Sequence, residues 1–131
     1  MAIRDIYFYC ALQGENFDPI PLLNLDKFTV ADYHCVGDWT RIAKLRGEPQ
    51  KTGYICLEAK GENFEGFVNN LFLAKELITE NNTEVRELHI FLEYENQCNW
   101  WFDASLLKII GELNLDLTIS CSEVEDKVDL L

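Results

Sequence analysis

From Ile3 to Leu12 the chain alternates, with Ile6, Phe8, Cys10 and Leu12 on one side of an extended backbone and Asp5, Tyr7, Tyr9 and Ala11 on the other. This period of two predicts a strand with one apolar face and one aromatic, mixed face. Asp18-Pro19 then sets a capping carboxylate before a proline at the first helical position, and Leu22, Leu23 and Leu25 give a short helix something to bury. Tyr54 to Ala59 reads as a second strand. Phe64, Phe67, Val68, Leu71, Ala74 and Ile78 recur at helical spacing and predict one main helix ended by Asn81-Asn82. Leu88, Ile90, Leu92 and Tyr94 alternate with His89, Phe91, Glu93 and Glu95 as a third strand. Asp103 caps a helix carrying Leu106, Leu107, Ile110 and Leu113, and Leu115, Leu117, Ile119 and Cys121 form a fourth strand.

Residues 28–52 break these patterns. Gly37, Gly47 and Pro49 punctuate them, and Arg41, Lys44, Arg46 and Lys51 stand against the single acid Glu48 within 41–51. The segment reads as a solvated basic loop; a path across the outer sheet face, burying the tyrosines as a second core layer, stays open. Two corners echo each other, Gly14-Glu15-Asn16-Phe17-Asp18 and Gly61-Glu62-Asn63-Phe64-Glu65. Each follows a strand and precedes a helix, with glycine for the turn and Asn and acid for the helix N-terminus. The element order predicts an α+β fold, a sheet of about four strands with two or three helices packed on one face. It forms a single domain over 1–122, followed by an acidic tail at 123–131.

Composition adds a surface to this body. A chain of 131 residues supports one core, and with 48% hydrophobic residues its acidity decorates a folded domain rather than a disordered one. Asp and Glu number 23 against 11 Lys and Arg, a net charge of −12, which opposes unaided binding to nucleic acid or anionic lipid and complements a cationic partner. Acidity for solubility alone is the plain alternative. Five cysteines form no CxxC pair, arguing against a disulfide framework or a zinc site and for reduced thiols in a cytoplasmic protein. The N-terminus reads as a strand rather than a signal peptide, and no stretch approaches the roughly 20 apolar residues of a membrane span. Phosphate-loop, dinucleotide and zinc-protease motifs do not occur, so no cofactor or metal is expected.

The outer face collects Tyr7, Tyr9, Tyr54, Cys56, Glu58, His89, Phe91, Glu93, Asp116, Thr118 and Ser120. Aromatics on an open sheet stack bases in some RNA-binding domains, but those platforms are ringed by Lys and Arg, and a protein partner suits this face better. Trp39, after Asp38, and Trp101, at the third strand-to-helix corner, are interface anchors or plugs at the core's end. Thiol chemistry would need Cys35 with His34 or Cys56 with His89, and acid–base chemistry a pair such as Glu93 with Asp116. None sits in a local signature, so the chain is read as a binder and not an enzyme.

The opening Phe8-Tyr9-Cys10-Ala11-Leu12-Gln13-Gly14 and Phe17-Asp18-Pro19, with Gly37-Asp38, Lys51-Thr52-Gly53-Tyr54 and the closing segment from Leu106 to Ile119, resemble a small bacterial family of unknown function. Tyr54 stands where a tryptophan is expected. Proteins of this kind resemble immunity proteins of bacterial competition systems, including contact-dependent growth inhibition. The resemblance implies a cytoplasmic immunity protein that binds a cognate toxin domain, a basic nuclease, and occludes its active site. Asp38, Trp39, Glu58, His89, Glu93 and Trp101 are the expected partner contacts. The competing readings are a homo-oligomeric structural or interaction domain pairing through the aromatic face, and a small-molecule enzyme using Cys56 with His89 or an acidic pair.

Overall fold

A computed structural model describes residues 2–124; the remainder of the acidic tail, 125–131, lies outside the described residues. The elements run β1 (Ala2–Gly14), α1 (Ile20–Leu23), β2 (Phe28–His34), α2 (Arg41–Arg46), β3 (Gly53–Ala59), α3 (Phe64–Leu73), α4 (Lys75–Thr79), β4 (Val85–Glu95), α5 (Ala104–Glu112) and β5 (Asp116–Glu123). The fold is α+β, and the five strands among the described residues form one sheet in the order β2-β3-β1-β4-β5. The central β1 runs antiparallel to both β3 and β4, whereas β4 and β5 are parallel. The β3-to-β4 and β4-to-β5 crossovers both advance in the same direction across the sheet. Right-handed crossovers, the near-universal choice, then put α3, α4 and α5 on one face.

That face holds the core. Cys10 and Leu12 of β1, Ile55 and Leu57 of β3, and Leu88, Ile90 and Leu92 of β4 meet Leu22, Phe67, Val68, Leu71, Ile78, Leu106 and Ile110 of the helices in one buried cluster. The period-two set of the sequence is therefore the inward set on all three central strands. Asp103 caps α5 as expected, its carboxylate accepting the Leu106 N–H at 2.7 Å, and Asn63 caps α3 in the same way through Gly66. Asp18 accepts the Ile20 N–H at 3.1 Å, although Pro19 rather than Asp18 occupies the capping position of α1.

The expected count of about four strands and two or three helices falls short by β2 and by short helices. In β2 a register shift between Val30 and Asp32 breaks the alternation, so Phe28 is buried while Asp32 and Tyr33 are exposed. A bulge of this kind erases the period on which strand recognition depends. The basic stretch is not all loop: Arg41–Arg46 is helical, capped by Thr40 through the Ala43 N–H and ended by Gly47 at φ +78°. The single main helix expected over 64–78 is two helices, because Ala74 leaves helical geometry at φ −99°, ψ 18°.

One contact locks the sheet's lower end. Gly14 and Gly53 are register partners on β1 and β3, and Phe17 lies over both, its carbonyl against Gly53 and its Cβ beside Gly14. A Cβ on Gly53 would fall on the Phe17 carbonyl oxygen, and one on Gly14 on the Asn82 carbonyl oxygen. Phe17 itself is buried in the core. Gly53→Ala must therefore push backbone against backbone. It should lower stability by roughly 1–3 kcal/mol, as overpacking does, measured by urea unfolding.

Candidate functional site

The sheet face away from the helices is partly covered. At the β2–β3 end Cys56 is 8% exposed, His34 stacks on Tyr54 with centroids 5.4 Å apart, and the His34 Nε2 is buried with no hydrogen-bond partner. Burial pushes the Tyr54 phenol up to about 12 and also raises the Cys56 thiol, so this thiol is insulated rather than activated. Towards the β1–β4 end the face opens, and Tyr7 and Phe91 remain 46% and 39% exposed. The 28–52 segment thus does not close the whole face.

An aromatic ladder runs along this open half. Tyr7 stacks on Phe91 at 5.9 Å, and Phe91 lies flat on His89 at 4.1 Å and 8°. His89 is engaged on both ring nitrogens: Nε2 lies 2.9 Å from the Ser120 hydroxyl, while Nδ1 lies 3.2 Å from Glu87 and 3.4 Å from the Tyr9 hydroxyl. The Glu58 carboxylate beside the Tyr7 hydroxyl favours its protonated form and raises the phenol pKa well above its ordinary value.

Acids face acids across this ladder. Asp5 is the register partner of Glu93, and Glu87 that of Asp116. Each pair shares the open face, because side chains alternate along a strand and cross-strand partners point the same way. Like charges in these positions repel.

The open face runs into a groove at its upper end. β3 parts from β1 after the Tyr9–Glu58 pair, where Gly61, at φ +108°, turns the chain towards α3. The hollow left beside β1 has a volume of about 740 Å³. Ile6, Phe8, Phe64, Trp100 and Leu106 make its apolar wall, and Phe64 meets Phe8 and Trp100 edge to face at 5.4 and 5.5 Å. Glu58, Glu62 and Glu65 also line it, with no lysine or arginine among the described lining residues. Trp101 stands at its side, 79% exposed.

The six expected contact residues do not form one patch. Glu58 and Trp101 line the groove, and Glu93, opposite Asp5, and His89, opposite Tyr9, lie on the open face of β4. Asp38 and Trp39 belong to the turn beyond β2, whose last residue His34 pairs with Tyr54 near the Gly14–Gly53 end, the far end of the sheet from the groove. There the Asp38 carboxylate accepts the Cys35 N–H at 2.8 Å, a turn-forming role, while Trp39 is 54% exposed. Asp5, Tyr7, Phe91 and Glu65 belong to the face and groove but were not singled out as contacts.

Two of the three candidate catalytic pairings do not assemble. Cys56 and His89 sit on β3 and β4 with β1 between them and two residues out of register, opposite Ala11 and Tyr9, so they are about 12 Å apart by strand geometry. Asp116 pairs with Glu87 while Glu93 pairs with Ser122, so Glu93 and Asp116 are separated by about 20 Å along the strands. Among the described residues, no three His, Cys, Asp or Glu side chains converge as a metal ion requires. Cys98 and Cys121, distant in sequence, approach each other; desolvation raises the Cys98 thiol, and Cys121 adds to the rise. Among the described residues, no helix is long and apolar enough to cross a membrane.

The chain is thus an α+β domain with helices against one sheet face and an acidic, aromatic half-open face on the other. Compared with protein-family models, with curated proteins and with solved structures, it matches none.

Two measurements check this electrostatic picture. Glu93→Gln removes the Asp5 repulsion and should stabilise the free protein by roughly 0.2–1 kcal/mol in urea unfolding, the scale of one cross-strand pair. Tyr54 has a folded pKa above its unfolded value, so folding stabilises its protonated form. That contribution is intact below about pH 10, where an unfolded tyrosine titrates, and is lost as pH rises towards about 12. Alkaline unfolding profiles should therefore fall less steeply for Tyr54→Phe than for the native chain over this window.

Proposed function

We propose that this chain is an immunity-type binding module: it captures a cationic protein domain, a toxin of nuclease type, and covers that domain's active site without chemistry of its own. The observation that carries the reading is the like-charge pairing of Asp5 with Glu93 and of Glu87 with Asp116 around an exposed aromatic ladder. Such pairs weaken the free fold, and a cationic surface laid over them relieves the repulsion. Negative potential speeds the approach of a positive partner, and Tyr7, Phe91 and Trp101 offer the desolvated anchors that slow its departure. The resemblance to immunity proteins points the same way. The wide separation of Cys56 from His89 and of Glu93 from Asp116 favours binding over the enzymatic alternative.

Co-expression with a basic toxin domain from its own genetic neighbourhood tests the proposal. Cells should survive the toxin only when this chain is present, and the two proteins should co-purify at low salt and separate as salt rises. Equal killing with and without the chain would contradict it.

A further inference from the structure

The groove is more than a hollow, because one of its sides is an unfinished sheet edge. β1 pairs with β4 from Ala2 to Gln13, but with β3 only from Tyr9 to Gly14. Over Ile3 to Phe8 the side of β1 that would face β3 therefore has no strand among the described residues. The turn at Gly61 carries the chain away from it, and the groove occupies the space a continuing strand would fill.

The edge carries two guards. A register shift between Ile3 and Asp5 distorts it, and the Ile6 N–H, which a neighbouring strand would use, is held by its neighbour's carboxylate, Asp5 Oδ1, at 2.9 Å. Bulges and edge charges are the means by which proteins keep open edges from pairing indiscriminately. This guard is selective by its sign, because a carboxylate is drawn off the amide most readily by a cation.

We infer that the Ile3-to-Phe8 edge of β1 is a docking site for an extended segment of a cationic protein, which adds to the sheet as a strand in line with β3. The recognition mode is strand addition, with main-chain hydrogen bonds supplying affinity and alternate side chains supplying choice. The two faces dictate the occupant's pattern. Side chains next to Ile6 and Phe8 enter the apolar wall of Phe64, Trp100 and Leu106, and side chains next to Asp5 and Tyr7 lie over Asp5, Glu58 and Glu93. An occupant alternating apolar and basic residues satisfies both. A second copy of this chain suits the edge less well, since its own β1 carries Arg4 beside Asp5 and so brings no surplus of positive charge to these carboxylates. Glu62 is already committed, accepting the Lys60 N–H at 3.0 Å, whereas Glu65 in the first turn of α3 adds its charge to the groove's rim.

The inference rests on the binding-module reading and names the element through which that module would grip its partner. Capped hexapeptides separate the two. One alternates lysine with isoleucine, a second replaces lysine by glutamate, and a third keeps the lysines but carries N-methyl groups along one backbone edge. The lysine peptide should bind the full chain, change tryptophan emission, and slow hydrogen exchange at the Ile6 amide. The glutamate and N-methylated peptides should each bind about tenfold or more weakly. Trp101→Ala should weaken the lysine peptide, and Trp39→Ala, at the other end of the sheet, should not.

Equal binding of the methylated and unmethylated peptides, or a protected Ile6 amide in concentrated protein alone with growth of a dimer on sedimentation, would overturn the inference. So would capture of a basic toxin domain, lost with salt, that leaves Ile6 exchange unchanged; in that case the module reading stands and the edge falls. Edge binding of the lysine peptide without protection of cells from any neighbouring toxin supports the edge while removing the immunity reading.

Discussion

Among the described residues, β1 is held from end to end on one side and only over its second half on the other, and most of the molecule follows from this inequality. Where both neighbours are present, Cys10 and Leu12 are fully buried and β1 is the spine of the core. Where β3 has turned away, Ile6 rises to 38% exposure and the same strand becomes the wall of a groove. One strand thus serves as scaffold and as surface, with the change at Tyr9. The turn at Gly61 is the local cause, and the Gly14–Gly53–Phe17 contact fixes the register at the opposite end.

Charge is laid over this frame in a way that folding alone does not explain. A domain selected only for stability would place bases opposite Asp5 and Asp116, since opposite charges across a ladder stabilise and like charges do the reverse. Here Glu93 and Glu87 stand in those positions. The groove, likewise, gathers carboxylates beside an aromatic wall. Local rules broken at one place on an otherwise consistent fold are where function is expected to lie.

The scaffold was largely legible because alternation on β1, β3 and β4 and helical spacing over Phe64 to Ile78 and Leu106 to Ile110 report burial directly. β2 was not, since the shift between Val30 and Asp32 removes its period, and the break at Ala74 carries no glycine or proline to announce it. The site was legible only in part. Glu58, Glu93, His89 and Trp101 could be placed on a face or corner by period and element order, but Asp38 and Trp39 lie at the far end of the sheet. The groove depends on which half of a strand lacks a neighbour, a property of pairing rather than of any residue. The expected strands already differ in length, Ile3 to Leu12 against Tyr54 to Ala59, and in the structure β1 has 13 residues and β3 has 7. The segments that carry the family resemblance include Gly14, Phe17 and Gly53, and these are scaffold residues, so they speak to the fold more than to the partner.

On the function proposed above, negative potential on this face draws in a positive partner. The association rate with a basic toxin domain, followed by stopped-flow tryptophan fluorescence across a range of ionic strength, tests it most directly. Association should slow steeply as salt rises while dissociation changes little, and Glu58→Lys and Glu93→Lys should each slow association. An association rate indifferent to salt and to these charge reversals would contradict it.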